Sequence, residues 1–292
     1  MIHKFLRAVG FSMFKNNQDI LPLLNTLIQK AGSAVLIQDE GIVNGQFTRD
    51  FGEGIGVAVY GDFTENDVFH PEYYFPYNSI GVEAPGEVLT VNRFADKNAY
   101  CAMCEEPSFG VSLIFHVING LEYAKKSESS NEPPKIKGVT LSALSVYGKI
   151  IMPVMQQEKE LAVIRASNSV QRKLMEAAKN GDSNALEDLA MQDMRLANVI
   201  GERSAHEDIY SIVSTSFMPF GLESDQYTVI GVIEECDAMK NTLTEEEMYR
   251  MIIQCNDVRF SVVINSQDLI GIPEPGRRFK GEIWMQGVLS FE

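Results

Sequence analysis

Period-two alternation is plainest near the C-terminus, where Tyr249, Met251, Ile253 and Cys255 alternate with Arg250, Ile252 and Gln254. Val258, Phe260, Val262 and Ile264 repeat the pattern. Alternate residues of a strand share a face, so these runs predict a β-hairpin turning at Asn256-Asp257. Helical spacing shows early instead: Ile20, Leu24, Leu27, Ile28 and Ala31 recur until Gly32, predicting one helix capped by Asn17 with Pro22 in its first turns. Residues 5–11 form a short apolar run that fits a strand better than a helix of useful length. Further apolar runs at 34–37, 55–60, 88–94, 111–118 and 139–147 read as strands, with turns at Asn44-Gly45 and Asn119-Gly120. No helical period interrupts residues 55–147, and the polar stretch 125–137 reads as an exposed loop.

The period changes after Pro153. Leu161, Ile164, Val170, Leu174 and Ala178, then Leu186, Leu189, Leu196 and Ile200, recur as helices do, and Ser204 with Glu207 forms a capping-box pattern. Beyond it, residues 227–233 read as a strand and 273–288 as turn, strand, bend, strand, with glycines suited to bulges. The expected fold class is therefore α+β. A β-rich α+β domain with one early helix fills residues 1–156, a helical region 157–215, and a small β-barrel of the OB or SH3-like kind 216–292.

Charge narrows the partners more than it narrows the fold. The net charge of −15 opposes any polyanion, although Arg277, Arg278 and Lys280 form a local basic spot, so nucleic acid is not an expected partner. No apolar run approaches the roughly 18 residues of a membrane-spanning helix, and Arg7 interrupts the first apolar stretch before a signal-peptide core can form. Four cysteines without an export signal read as reduced thiols, which implies a cytoplasmic protein.

Candidate chemistry is sparse. Cys101 and Cys104 have the spacing of half a zinc site or a redox pair, but no second such pair completes it, and ordinary thiols on a strand are the simpler reading. His206-Glu207 begins a metalloprotease pattern whose second histidine is replaced by Tyr210. Gly52, Gly54 and Gly56 lead into a β-run rather than the helix N-terminus a phosphate loop requires. The richest stretch is 62–77, where Phe69, His70, Tyr73, Tyr74 and Tyr77 gather among acidic residues, as rings and a few polar groups do around small-molecule ligands. His70 is the residue there with a free pKa suited to proton transfer near neutral pH.

The passages His3-Lys4-Phe5-Leu6-Arg7-Ala8-Val9-Gly10-Phe11, Glu207-Asp208-Ile209-Tyr210-Ser211-Ile212-Val213 and Arg278-Phe279-Lys280-Gly281-Glu282-Ile283-Trp284-Met285-Gln286-Gly287 together resemble a family of functionally uncharacterised cytoplasmic proteins from anaerobic Firmicutes, especially clostridia. The resemblance implies a bacterial cytoplasmic protein and carries over no activity, cofactor or catalytic residue. With no cofactor expected, the sequence points to a non-enzymatic binding, scaffold or regulatory protein with a protein or small-molecule partner. The alternative is an enzyme acting on a small molecule through an acid-base site near His70. A homo-oligomer is compatible with both, because Met152, Met155, Met175, Met191, Met194 and Met218 offer adaptable apolar surface.

Overall fold

The computed structural model describes residues 2–39, 41–85, 89–94, 99–106, 111–128, 133–153, 215–220, 224–256 and 258–292, with positions 177, 184–185, 187–189, 191 and 194 between them. The chain opens not with a strand but with a 3-10 helix, Lys4–Val9, which buries Phe5, Leu6, Ala8 and Val9. Gly10 ends it in the left-handed region at φ 86°, where a Cβ would stand 2.6 Å from that of Asn241. Such a close approach is open to glycine alone.

Helix α1 (Asn17–Gln29) follows, capped by Asn16 rather than Asn17. The Asn16 side chain accepts from the amides of Gln18 and Asp19, while Asp19 accepts from the amide of Asn16, a reciprocal box that satisfies the first-turn donors. Asn16→Ala is expected to cost about 1 kcal/mol. For a chain of this size that is a fall in melting temperature of about 2 °C, readable by calorimetry.

Strands β1 (Ser33–Asp39), β2 (Ile42–Gly52), β3 (Ile55–Phe63) and β4 (Phe69–Asn78) form a four-stranded antiparallel sheet in that order. Asn44-Gly45, a turn by sequence, lies inside β2, and the chain reverses instead before Ile42, at Gly41 with φ 88°. The Asn44 side chain accepts from the Tyr60 hydroxyl at 2.9 Å, and Gly45 leaves room for Leu36, Phe47 and Phe63.

The remaining strands are β5 (Val82–Pro85), β6 (Leu89–Arg93), β7 (Tyr100–Glu106), β8 (Val111–Val117), β9 (Ile136–Ile151), β10 (Ser216–Pro219), β11 (Gln226–Lys240), β12 (Glu247–Cys255), β13 (Val258–Asn265), β14 (Leu269–Ile270) and β15 (Arg278–Phe291). All eleven belong to one mixed sheet. Helix α2 (Gly120–Glu128) occupies part of the stretch expected to be turn and loop, and its Leu121 packs against Ile37 and Tyr60 of the first sheet.

The expected α+β class with a separate C-terminal barrel is thereby corrected: the described residues are mostly β, and the C-terminal strands are part of the large mixed sheet. The pairings β11–β12, β12–β13, β13–β9, β9–β15 and β15–β11 close a ring of five strands, but one stave is β9, from the first half of the chain. Strand length is the physical reason. β9 runs 16 residues and pairs with β13 on one edge and β15 on the other, so the final strands close around it instead of around themselves. The expected helical region 157–215 lies outside the described residues except at a few isolated positions, and no substantial helical layer stands among those that are described. The β12–β13 hairpin matches its expectation.

Alternate residues of the large sheet feed two cores. Val139, Leu141, Ile253, Phe260, Phe279 and Met285 point into one, while Leu144, Met248, Val263 and Trp284 meet the 3-10 helix, α1 and β3 in the other. The two sheets are also stitched by polar side chains along β4. Gln286 accepts from the Asn78 amide at 3.0 Å and donates to the Pro76 carbonyl at 2.9 Å, Ser142 donates to the Asn78 carbonyl, and the Asn78 side chain donates to Ser261. β4 is an edge strand of its sheet, and these side chains serve backbone groups that would otherwise be buried without partners.

Candidate functional site

The aromatic stretch 62–77 folds into the β3–β4 hairpin. A register shift between Tyr60 and Gly61 sets Asp62 opposite His70 and Phe63 opposite Phe69. Successive side chains alternate between faces, so Phe69 and Tyr74 share one face, while His70, Tyr73 and Tyr77 share the other. Phe69 packs edge-on against Phe47 at 4.8 Å and lies 5.2 Å from Phe63. Tyr73 stacks on Tyr60 at 5.1 Å, and Tyr77 is buried with its hydroxyl donating to Asp50 at 2.5 Å. Burial raises both phenols above their ordinary range, and the Asp50 carboxylate adds to the effect at Tyr77. His70 is exposed, and among the described residues its ring makes no hydrogen bond or ion pair.

Cys101 and Cys104 sit three residues apart on β7 and therefore face opposite ways. Cys104 packs against the interior core, while Cys101 stands in register with His116 on β8. Burial, helped by the Asp225 charge, pushes the Cys101 thiol up, which is the direction opposite to a thiolate ligand or nucleophile. Among the described residues, no three His, Cys, Asp or Glu side chains group as metal ligands do. His206, Glu207 and Tyr210 lie outside the described residues.

Tyr74 leads to a different place. Its hydroxyl accepts from the backbone amide of His3 at 3.0 Å, and His3 lines a cleft of about 350 Å³ formed by the N-terminal arm over the outer face of β9. The floor of the cleft is Leu6, Phe11, Phe14 and Val146, and its rim carries Lys4, Arg7 and Lys15. The arm is fastened from several sides. The Asn241 side chain donates to the Val9 carbonyl, Thr244 donates to the Gly10 carbonyl, and the Ser12 amide donates to Glu246. The Asn241 side chain also accepts from the amides of Leu243 and Thr244, which makes residues 241–246 a tight turn. Arg7 makes a bidentate pair with Asp268, whose side chain is only 9% exposed.

The cations of the rim differ in what they face. Arg7 is neutralised by Asp268, whereas Lys4 donates to the neutral amide of Gln226 and Lys15 to the carbonyl of Ser12. The nearby carboxylates are engaged elsewhere, Glu246 by the Ser12 amide and Asn265, and Asp19 by the cap of α1. Among the described residues, no carboxylate forms an ion pair with Lys4 or Lys15. Sequence reasoning passed over this site. The signal it carried was a run of basic residues, Lys4, Arg7 and Lys15, at one end of a chain with a net charge of −15.

A described family, domain of unknown function, E. rectale gene description (DUF3881), matches residues 6–287. The chain belongs to this family. The match agrees with the resemblance to an uncharacterised family from clostridia, and the family's description assigns no activity. No curated protein and no solved structure matches. No described helix is long and apolar enough to cross a membrane.

Proposed function

We propose that this member of the family is a non-enzymatic cytoplasmic binding protein whose small-molecule site is the cleft under the N-terminal arm. The observation that carries the reading is the cleft itself: about 350 Å³, with an apolar floor and polar groups gathered at its mouth. Ligand sites share this form, and the volume lies within the range of about 300–1,000 Å³ they occupy. The walls are preformed, because the arm's backbone is held by side chains from β4, the β11–β12 turn and the end of β13. Four free cysteines are in keeping with a reducing compartment.

The rival reading, proton transfer at His70, draws no support from that residue's place at the exposed start of β4, opposite Asp62. The test is a thermal-shift screen of metabolites on the full chain and on Val146→Trp, which fills the floor. A ligand of the cleft should raise the wild-type melting temperature, leave Val146→Trp unmoved, and be recovered chemically unchanged. Equal shifts in both proteins, or a ligand converted to product, would remove the reading.

A further inference from the structure

The chemistry around the cleft's mouth narrows what can enter. Its apolar surface is that of half-buried Phe14 and Val146, backed by buried Leu6 and by Phe11, which stacks on Phe14 at 5.4 Å. An apolar body placed there displaces water at no polar cost. At the rim, among the described residues, Lys4 meets the Gln226 side-chain oxygen and the Phe5 ring, 4.7 Å from its centroid, and Lys15 meets the Ser12 carbonyl, while each ammonium has three donors. Both side chains are solvent-exposed, so their stems can swing toward a guest while the charge stays hydrated. Arg7 cannot follow them, because both of its engaged nitrogens are spent on the Asp268 carboxylate.

A neutral guest would leave the two ammonium groups as they are. A cationic guest would face the charges of Lys4 and Lys15. An acid with a hydrocarbon or aromatic body satisfies both zones, carboxylate to the lysines and body to the floor. We infer that the cleft takes an amphipathic monoanion, a small organic acid whose carboxylate bridges Lys4 and Lys15 above an apolar tail. The inference rests on the cleft being the ligand site, and it adds the class of ligand. The net charge of −15 sharpens the assignment, since a chain so acidic repels anions in general and the two lysines offset that repulsion at the cleft.

Three eight-carbon probes separate the inference from the reading beneath it. Calorimetric titration of the full chain with octanoate, 1-octanol and octylamine should show octanoate binding most tightly. Lys4→Gln and Lys15→Gln should each weaken octanoate by roughly tenfold while leaving octanol unchanged. If octanol or octylamine binds as tightly as octanoate, and Val146→Trp abolishes that binding, the cleft stands as a ligand site and the anionic class is wrong. If none of the three binds, or if Val146→Trp changes nothing, both the class and the cleft reading fail. Because Lys4 and Lys15 are exposed, their glutamine variants should fold as the wild type does, and an unchanged melting temperature verifies it.

Discussion

Gln286→Leu is expected to lower the unfolding free energy by about 4 kcal/mol. Gln286 is fully buried on β15, and its side-chain amide is used at both ends: the oxygen accepts from the Asn78 amide and the nitrogen donates to the Pro76 carbonyl. Leucine has the right bulk but neither function. The replacement therefore orphans two buried backbone groups of β4, each costing roughly 1–3 kcal/mol when left without a partner. Neighbouring partners cannot take over, because Ser142 and Ser261 already donate to the carbonyls of Asn78 and Ile80. Gln286→Glu should fail as well, since a carboxylate keeps the acceptor, loses the donor and buries a charge. Urea unfolding checks this: the midpoint should fall while the slope stays constant. A loss below about 1 kcal/mol would mean that the two sheets do not depend on this stitch.

That stitch also shows where sequence reasoning stops. The β12–β13 hairpin was legible because its information is local: strict alternation on both sides of Asn256-Asp257, with Asn256 at φ 53° in the turn. Gln286 and Asn78 are 208 residues apart, and nothing local marks either as the other's partner. The same holds for the cleft, where Val146 of β9 closes a wall whose other residues lie in the first fifteen positions.

Local signals also misled where tertiary context outweighed them. Residues 5–11 read as a strand because nearly every position is apolar, yet Lys4–Val9 is a 3-10 helix whose apolar side chains pack against β4, β9 and β13 while Lys4 and Arg7 reach the surface. Asn44-Gly45 carries a turn signature, but inside β2 the asparagine is wanted as an acceptor for Tyr60 and the glycine for its missing side chain. The hairpin β12–β13 and the start of β11 are readable locally, whereas the bend expected within 273–288 is part of the continuous strand β15. The closure of these strands on β9 was not readable, because parallel pairing such as β13 with β9 leaves no turn in the sequence to announce it.

Above pH 9 the protein should lose stability steeply, and Cys255 should account for the largest single share. Cys255 is fully buried, and burial pushes its thiol from an ordinary value of 9.0 up to about 12. Tyr227, buried beneath β8 with its hydroxyl bonded to the backbone of Ile114, is pushed from 10.0 up to about 12, and Tyr77 is raised as well. In each case the folded value exceeds the unfolded one. Below pH 9 both states hold the protons and the groups contribute their full stability. As pH rises from the unfolded value toward the folded one, the unfolded chain releases protons that the native protein still holds, so stability falls by about 1.4 kcal/mol per pH unit per group. At pH 11 that amounts to about 3 kcal/mol from Cys255 and about 1 kcal/mol from Tyr227. Unfolding by urea at pH 8, 9, 10 and 11 under reducing conditions should trace this decline. Cys255→Ala starts lower at pH 8, because it leaves a small cavity, but its stability should fall less steeply by close to one proton between pH 9 and 11. Parallel slopes for the two proteins would show that the native state lets this thiol ionise, and that the interior at Ser216 and Ile230, whose carbonyls the Sγ approaches at 3.2 and 3.3 Å, is open to water.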